Sequence, residues 1–310
     1  MRSLIAFICA AAAAANAQAQ DPRDADETSA ESPQDRRDEE ETGSEFRGEV
    51  SASAVIASDR GDDEEADRSG AILRGELDYE HDFGSGEVRL SYDTGIYLYR
   101  DDDRPDRWSN TVRLAYAFVP AEDLEFSTRL SYASNIATLE FRSTDQIEAM
   151  AMAEYSPGDH RVRVFGGWRW RDYDDEANSD GSGSFFGGEY RYRLGRSRFL
   201  TTELRFEDID SDNPRRGYNR TILEAFYQHP LGTGTRLRIG ATARWWEYDG
   251  RFVDGERRRD SAMAPELDLQ HYFENGWLLR SRFQYRFRDS NDPDERADDR
   301  RAVLTAGYRF

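Results

Sequence analysis

The chain has 310 residues and a net charge of −20, and 34% of its residues are charged while 37% are hydrophobic. Its one cysteine is Cys9, so a disulfide framework, a thiol nucleophile and a cysteine-based metal site are excluded for the rest of the chain. The acidic charge disfavours nucleic acid as a partner. These averages alone are typical of a soluble or partly disordered acidic protein, but the charges are not placed at random.

The first 19 residues have the composition of a secretory signal peptide. An early arginine precedes an apolar run from Leu4 to Ala15, and small residues follow at Ala17 and Ala19. The run is too short and too rich in alanine for a membrane-spanning helix. We therefore predict that residues 1–19 direct the chain out of the cytoplasm.

The next segment, residues 20–45, holds 11 acids and three arginines and has no aliphatic residue larger than alanine. Such a segment cannot bury an apolar core. We predict a disordered acidic tail in the periplasm. A binding role for this tail, toward a periplasmic partner, is an open alternative to a merely solvated segment.

From residue 46 to residue 310, apolar and polar residues alternate in runs of about ten. In the run HRVRVFGGWRW, which starts at His160, valine and tryptophan take one phase and arginine takes the other. Strict alternation is typical of a strand with one apolar and one polar face. The fourteen predicted strands span residues 48–58, 71–83, 87–99, 110–119, 124–134, 145–155, 161–171, 184–194, 199–208, 219–229, 235–247, 262–273, 277–288 and 301–310.

The connections between these runs alternate in length. One set is short and has the glycine, proline and asparagine content of tight hairpins, for example GSG at 84–86 and ENG at 274–276. The other set is long and acidic, for example DRGDDEEADRSG at 59–70 and DYDDEANSDGSG at 172–183. The repeating unit is therefore a hairpin followed by a long connection.

Two soluble all-β folds fit this pattern less well. A β-propeller blade packs four short strands into a repeat of about 40 residues, whereas this repeat contains two long strands. A β-sandwich would place the charged face of nearly every strand in a core, where unpaired charges are costly. Both objections disappear if the apolar face meets lipid and the polar face lines a wet lumen.

The sequence thus predicts an all-β fold for residues 46–310: a closed antiparallel transmembrane β-barrel of about 14 strands. Short periplasmic turns and long acidic outer loops are characteristic of such barrels. Closure leaves no unpaired strand edge, as a bilayer requires. If the short turns are periplasmic, both chain termini are periplasmic too.

The last ten residues, RAVLTAGYRF, place Tyr308 and the terminal Phe310 on one apolar face. This ending resembles the C-terminal signature of Gram-negative outer-membrane β-barrel proteins, and the whole pattern is porin-like. The resemblance implies that Tyr308 and Phe310 are an assembly signal read by the barrel-assembly machinery. It also implies the cell outer membrane as the location, with membrane lipid and lipopolysaccharide as neighbours.

A second resemblance concerns the closing hairpins. The stretches RRRDSAMAPELDLQHYFENGW, which ends at Trp277, and YRFRDSNDPDERADDRRAVLTAGYRF, which ends at Phe310, are similar to the barrel of surface-lipoprotein assembly modifiers. That family implies a role in translocation. Its members carry a periplasmic helical-repeat domain before the barrel, whereas here the acidic segment 20–45 precedes it, and this departure counts against the role.

The polar face of the strands is predicted to line the lumen. Its charged residues have two interpretations: acids and arginines pair and stabilise the wall, or unpaired arginines form a constriction that favours anions. The candidate lumen residues are Arg161, Arg163, Arg169, Arg171, Arg191, Arg193, Arg236, Arg238, Arg244, Arg280, Arg282 and Arg286, with the acids Glu76, Asp78, Glu266 and Asp268.

We therefore expect a passive or mildly selective diffusion channel for small polar or anionic solutes. The alternative is a non-conducting structural or assembly barrel with a salt-bridged lumen and a periplasmic partner. Enzyme activity is not expected, because the four histidines lie on different hairpins and suggest no triad or metal cluster. No cofactor or metal is expected, and the oligomeric state is left open.

Overall fold

A computed structural model describes residues 43–57, 69–100, 105–139, 141–174 and 179–310. Within these ranges the chain forms β1 (Ser44–Ala57), β2 (Gly70–Asp82), β3 (Gly86–Tyr99), β4 (Arg107–Ala121), β5 (Leu124–Ile136), β6 (Thr144–Tyr155), β7 (His160–Tyr173), β8 (Asp180–Gly195), β9 (Arg198–Ser211), β10 (Tyr218–Gly232), β11 (Thr235–Val253), β12 (Glu256–Tyr272), β13 (Trp277–Ser290) and β14 (Ala297–Arg309). A single turn of 3-10 helix, Pro293–Glu295, precedes β14. No helix in the described part of the chain is long and apolar enough to span a membrane.

Each strand pairs antiparallel with the next, and β1 pairs with β14, so the sheet is a closed barrel. The predicted fold class and the strand number are confirmed. The predicted signal peptide and the tail up to residue 42 lie outside the described residues. Strand β1 begins at Ser44, two residues before the expected start of the barrel at Phe46.

The strands extend further into the acidic connections than their sequence indicates. Strand β11 continues to Val253 instead of ending at 247, and β12 begins at Glu256 instead of 262. Between them, Asp254 and Gly255 have φ angles of 51° and 87°. Positive φ at both central residues matches a type I′ hairpin turn, which lets the strands pair almost to their tips. At this hairpin the predicted long outer loop is therefore mostly strand.

The apolar phase of the strands faces outward. Trp170 is 48% exposed and Phe283 is 49% exposed, and the same holds for large apolar side chains on nearly every strand. A sandwich would have buried these side chains in a shared core. A barrel presents them to lipid, and the aromatic side chains near the strand ends are those that anchor at the membrane interfaces.

The barrel closes at the C-terminal residue. The backbone of Phe310 donates to the Gly48 carbonyl at 3.0 Å and accepts from the Gly48 N–H at 2.8 Å. The Phe310 ring lies directly over Gly48, where an added Cβ would come within 2.5 Å of the ring. Tyr308, its neighbour in the predicted assembly signal, packs edge-on against Trp277 with 5.5 Å between the ring centroids. Glycine at position 48 thus makes room for the terminal aromatic ring.

Replacing Gly48 with alanine is expected to destabilise the barrel by about 1 kcal/mol, because the methyl group displaces the Phe310 ring from the seam. The matched control is Gly75→Ala, where the nearest atom to an added Cβ is a Thr94 methyl carbon at 3.4 Å, an ordinary contact. Urea unfolding in lipid vesicles measures both variants. Equal urea midpoints for Gly48→Ala and Gly75→Ala would show that the packing of the Phe310 ring does not require glycine at position 48.

Candidate functional site: the barrel lumen

The polar phase of the strands lines the lumen, and the sheet register sets which charges meet. Arg163 on β7 lies opposite Glu189 on β8. Asp268 on β12 lies opposite Arg238 on β11 and Arg282 on β13. All the candidate lumen residues share this inward phase. At these positions of the lumen wall, arginine and acid therefore face each other across neighbouring strands, as cross-strand charge pairing favours.

A buried group of charges is centred on Glu207 of β9, which is 3% exposed. Its carboxylate oxygens lie 2.8 Å from Arg169 Nη1, 2.6 Å from Arg220 Nη2 and 3.4 Å from Arg205 Nε. Arg169 also donates from Nε to Glu148 at 2.7 Å and stacks 4.3 Å above the centroid of the Phe185 ring. This network joins strands β6 to β10 and fixes its arginines in place, so they contribute structure to the wall.

A second network lies on the strands that follow, β11 to β13. Arg280 donates from Nε to Asp268 at 2.8 Å, and Arg282 lies 3.2 Å from Asp268 and 3.6 Å from Glu266. Arg238 lies 3.7 Å from Glu266 and 3.5 Å above the centroid of the Phe226 ring. Glu266 and Asp268 of β12 thus form ion pairs with arginines from both neighbouring strands. This arrangement matches the first interpretation of the lumen charges, in which acids and arginines pair and stabilise the wall.

The other candidates have different surroundings. Arg171 is buried and donates to Gln146 at 2.9 Å and to the Tyr218 hydroxyl at 3.0 Å. Arg236 lies 5.4 Å from the Tyr272 ring centroid. Asp78 accepts a hydrogen bond from the Ser91 hydroxyl. The register places Arg244 opposite Ala262, Arg286 opposite Asp299 and Glu76 opposite Asp93.

An apolar cluster narrows the lumen near the ends of the strands that carry the long connections. Ile209, Tyr218, Trp246 and Tyr248 point inward from β9, β10 and β11, and Leu139 comes from the connection between β5 and β6. Leu139 is 4% exposed. We call these five residues the outer cluster. The β5–β6 connection therefore reaches across the lumen to the far wall and narrows this end of the barrel.

A charged layer supports the outer cluster. Arg258 lies 2.9 Å from Asp260 and 2.7 Å from Glu295, and Arg288 lies 3.1 Å from Asp260. Arg258 also lies 5.1 Å from the centroid of the Tyr248 ring, which belongs to the cluster. Asp260 is completely enclosed by these partners and by Ser290. The layer holds the strand ends of β12 and β13 against the cluster.

The wall formed by β4 and β5 is different, because most of its inward side chains are small. Between Ser109 and Ala133 the long side chains among the inward residues of these strands are Arg113, Glu125 and Arg129. Arg113 pairs with Asp93, and Arg129 donates to Glu148 at 2.8 Å, so both lie against neighbouring strands. The small inward residues are Ser109, Thr111, Ala115, Ala117, Ser127, Ser131 and Ala133. Space for a solute path is therefore expected along this wall.

The sequence analysis missed the inward aromatic residues. Phe185, Phe199 and Phe226 are buried in the lumen wall, and each has an arginine stacked on its ring. The available signal was the strand phase, since Phe199 and Phe185 share the phase of the inward charges on β9 and β8.

The four histidines lie apart on separate hairpins. His81, His160 and His271 bond Ser44, Tyr190 and Thr235 at 2.7–2.8 Å, and His229 bonds Tyr227 at 2.9 Å. Among the described residues, no three histidine, cysteine or acidic side chains are placed to hold a metal ion. That the protein is not an enzyme stays a prediction.

No protein-family model matches the chain, and no curated protein sequence matches it. Solved structures do resemble it. A loop-deletion mutant of OmpT, an outer membrane protein of Vibrio cholerae, is 12% identical with a TM-score of 0.55, and the match covers 86% of this chain and 99% of that one. The outer membrane channel DcaP of Acinetobacter baumannii is 10% identical with a TM-score of 0.57 and coverages of 86% and 97%. The anion-selective porin from Comamonas acidovorans is 10% identical with a TM-score of 0.52 and coverages of 87% and 100%. The chain therefore has the fold of the porin-like β-barrels of the outer membrane.

Proposed function

We propose that the protein is a diffusion channel of the outer membrane for small polar solutes, with a preference for anions. The observation that carries this proposal is the lumen itself. Arginine from β7, β8, β11 and β13 points into a barrel whose β4–β5 wall carries mostly small side chains. Charged rings of this kind select ions in pores, and a barrel of this size lies between filled eight-strand barrels and wide porins.

Two of the similar structures support the proposal at the level of the fold. One is described as an outer membrane channel and another as an anion-selective porin. The candidate residues for selectivity are the inward arginines identified from the sequence, and those that form ion pairs with acids include Arg161, Arg163, Arg169, Arg238, Arg280 and Arg282. Selectivity then depends on the arginines that acids leave accessible to a solute.

The outer cluster restricts the size of solute that can pass. It occupies the part of the lumen in front of β9 to β11, so a solute path has to pass between the cluster and the remaining wall. We therefore expect single small molecules to permeate and folded peptides to be excluded. We place the short turns and both termini in the periplasm, with the cluster at the cell surface.

Liposome swelling with matched solutes tests the proposal. Glucose, gluconate and glucosamine are similar in size and are neutral, anionic and cationic respectively. The purified barrel in liposomes is expected to admit gluconate faster than glucose and glucose faster than glucosamine, because the lumen arginines attract anions. Equal swelling rates for the three solutes would contradict the proposed preference for anions. Swelling no faster than that of empty liposomes would contradict the proposed channel.

One observation favours a second function, a non-conducting structural or assembly barrel. The outer cluster and the Glu207 network fill much of the lumen at one end. In this alternative the acidic tail binds a periplasmic partner. Pull-down from a periplasmic extract with the mature chain and with a variant lacking residues 20–42 distinguishes the alternatives: a partner lost on deletion, together with no solute flux, supports the assembly role.

The membrane neighbours of the barrel follow from the same proposal. The outward aromatic and aliphatic side chains are in contact with lipid, and the acidic connections face lipopolysaccharide. The barrel-assembly machinery reads the strand that ends at Tyr308 and Phe310. Removing Phe310 is expected to reduce the amount of folded barrel in the membrane, which the heat-modifiable band on gel electrophoresis measures.

A further inference from the structure

We propose that the lumen contains a discrete binding site for a small oxyanion, a carboxylate or phosphate group, held by Arg191 and Arg193 of β8. This inference rests on the proposed function and deepens it, because it names the residues at which a permeating anion pauses. The site lies toward the short-turn end of β8, which finishes at Gly195. Three observations support it: the local ion pairing, the environment of Arg191 and the reach of the two side chains.

The first observation is that the ion pairs between β7 and β8 do not include the arginines of β8. Four inward arginines lie here beside Glu154 and Glu189, and a third acid, Glu203, lies opposite Glu189 on β9. Glu189 lies 2.7 Å from Arg161, and Glu154 lies 2.7 Å from Arg163. Each acid also approaches the other arginine of that pair, at 4.0 Å and 3.8 Å. Glu154 and Glu189 are thus paired with the arginines of β7. The two arginines of β8, Arg191 and Arg193, take no part in these ion pairs.

The second observation concerns Arg191 alone. It lies directly opposite Arg161 in the register, and like charges in this position are destabilising. Its guanidinium lies 3.7 Å above the centroid of the Phe199 ring, and its Nε is buried without a hydrogen-bond partner. A buried donor without a partner is costly. An oxyanion would neutralise the repulsion and supply acceptors to the free donors.

The third observation is geometric. Arg191 and Arg193 are two residues apart on one strand, so both point into the lumen with their Cα atoms about 7 Å apart. Arginine presents a planar fork of donors that matches a carboxylate or phosphate. Glu203, an inward acid of the adjacent strand β9, forms no ion pair with either arginine in the described part of the barrel. Neither guanidinium group therefore has a carboxylate within ion-pair distance among the described residues.

Titration calorimetry on the folded mature chain in detergent at low salt tests the site, with inorganic phosphate and succinate as separate probes. We expect one bound anion per barrel. The variant Arg191→Gln/Arg193→Gln is expected to weaken binding about tenfold or more, as the loss of charge-assisted hydrogen bonds requires. The variant should fold, since it removes a repulsion. If the double variant does not fold, Arg193→Gln alone is measured instead, with a smaller expected loss of affinity for the anion.

The matched control for Arg193→Gln is Arg74→Gln on β2, since each removes one positive charge from the lumen and Arg74 forms no ion pair with a described residue. When the titrations are repeated at about 0.15 M salt, where the Debye length is about 8 Å, the affinity of Arg74→Gln should stay within about twofold of the wild type. Equal weakening by Arg74→Gln, or no binding of either probe to the wild type, overturns the site. Binding of one probe alone identifies the source as phosphate or carboxylate.

The two proposals fail separately. Anion-selective flux without calorimetric binding keeps the channel and removes the site. Binding that depends on Arg191 and Arg193 in a barrel that passes no solute keeps the site and removes the channel.

Discussion

Replacing Glu207 with alanine is expected to destabilise the folded barrel by about 3–5 kcal/mol. The Glu207 carboxylate forms ion pairs with three arginines: its oxygens lie 2.8 Å from Arg169, 2.6 Å from Arg220 and 3.4 Å from Arg205. Its removal leaves the three arginines without the carboxylate that they share, while Glu148 still binds Arg169. Urea unfolding in lipid vesicles, followed by tryptophan fluorescence, measures the loss.

The control for this prediction lies on the same strand. Glu203 shares the inward phase with Glu207 but forms no ion pair among the described residues, and it lies between Glu189 and Glu224 in the register. Glu203→Ala should therefore leave stability unchanged or increase it slightly, since it relieves repulsion between acids. If both variants lose the same free energy of unfolding, the Glu207 network does not stabilise the wall.

Replacing Leu139 with serine is expected to raise the unitary conductance of the barrel severalfold. Leu139 anchors the β5–β6 connection in the outer cluster, where it packs with Trp246 and Tyr248. Placing a hydroxyl in this apolar environment, and removing apolar volume, costs about 2–5 kcal/mol. The connection should then leave the cluster and widen the outer end of the lumen. Single-channel recording in planar bilayers measures the change.

Leu139→Met is the matched variant, because it keeps the apolar volume and is tolerated in packed sites. Its conductance should equal that of the wild type. A serine variant with wild-type conductance, in a barrel that remains heat-modifiable, would mean that the connection does not limit the path.

The sequence was sufficient for the architecture because each strand carries its own evidence. On β7, valine and tryptophan alternate with arginine, and a shift by one residue would place every arginine in lipid. The short turns marked the strand ends that they connect close to where the structure places them. The connection between β11 and β12 did not, because Asp254–Gly255 forms a hairpin turn inside a segment whose composition is that of a loop.

The site was only partly accessible from the sequence. Phase alone placed Arg169 and Arg191 on the inward face, yet the first lies between two acids while the second stacks on Phe199. That difference depends on the register across three strands, which no single run contains. The outer cluster depends on a contact between Leu139 and strands that follow it by more than 60 residues, so local pattern could not reveal it.

Single-channel recording from the purified wild-type barrel tests the central claim most directly. The claim is that the lumen, although narrowed by the outer cluster, is a continuous aqueous path lined by accessible arginines. A heat-modifiable, folded preparation in planar bilayers is expected to give discrete current steps, with a reversal potential in a potassium chloride gradient that favours chloride. Absence of steps from folded protein, or a reversal potential that favours potassium, would contradict the account.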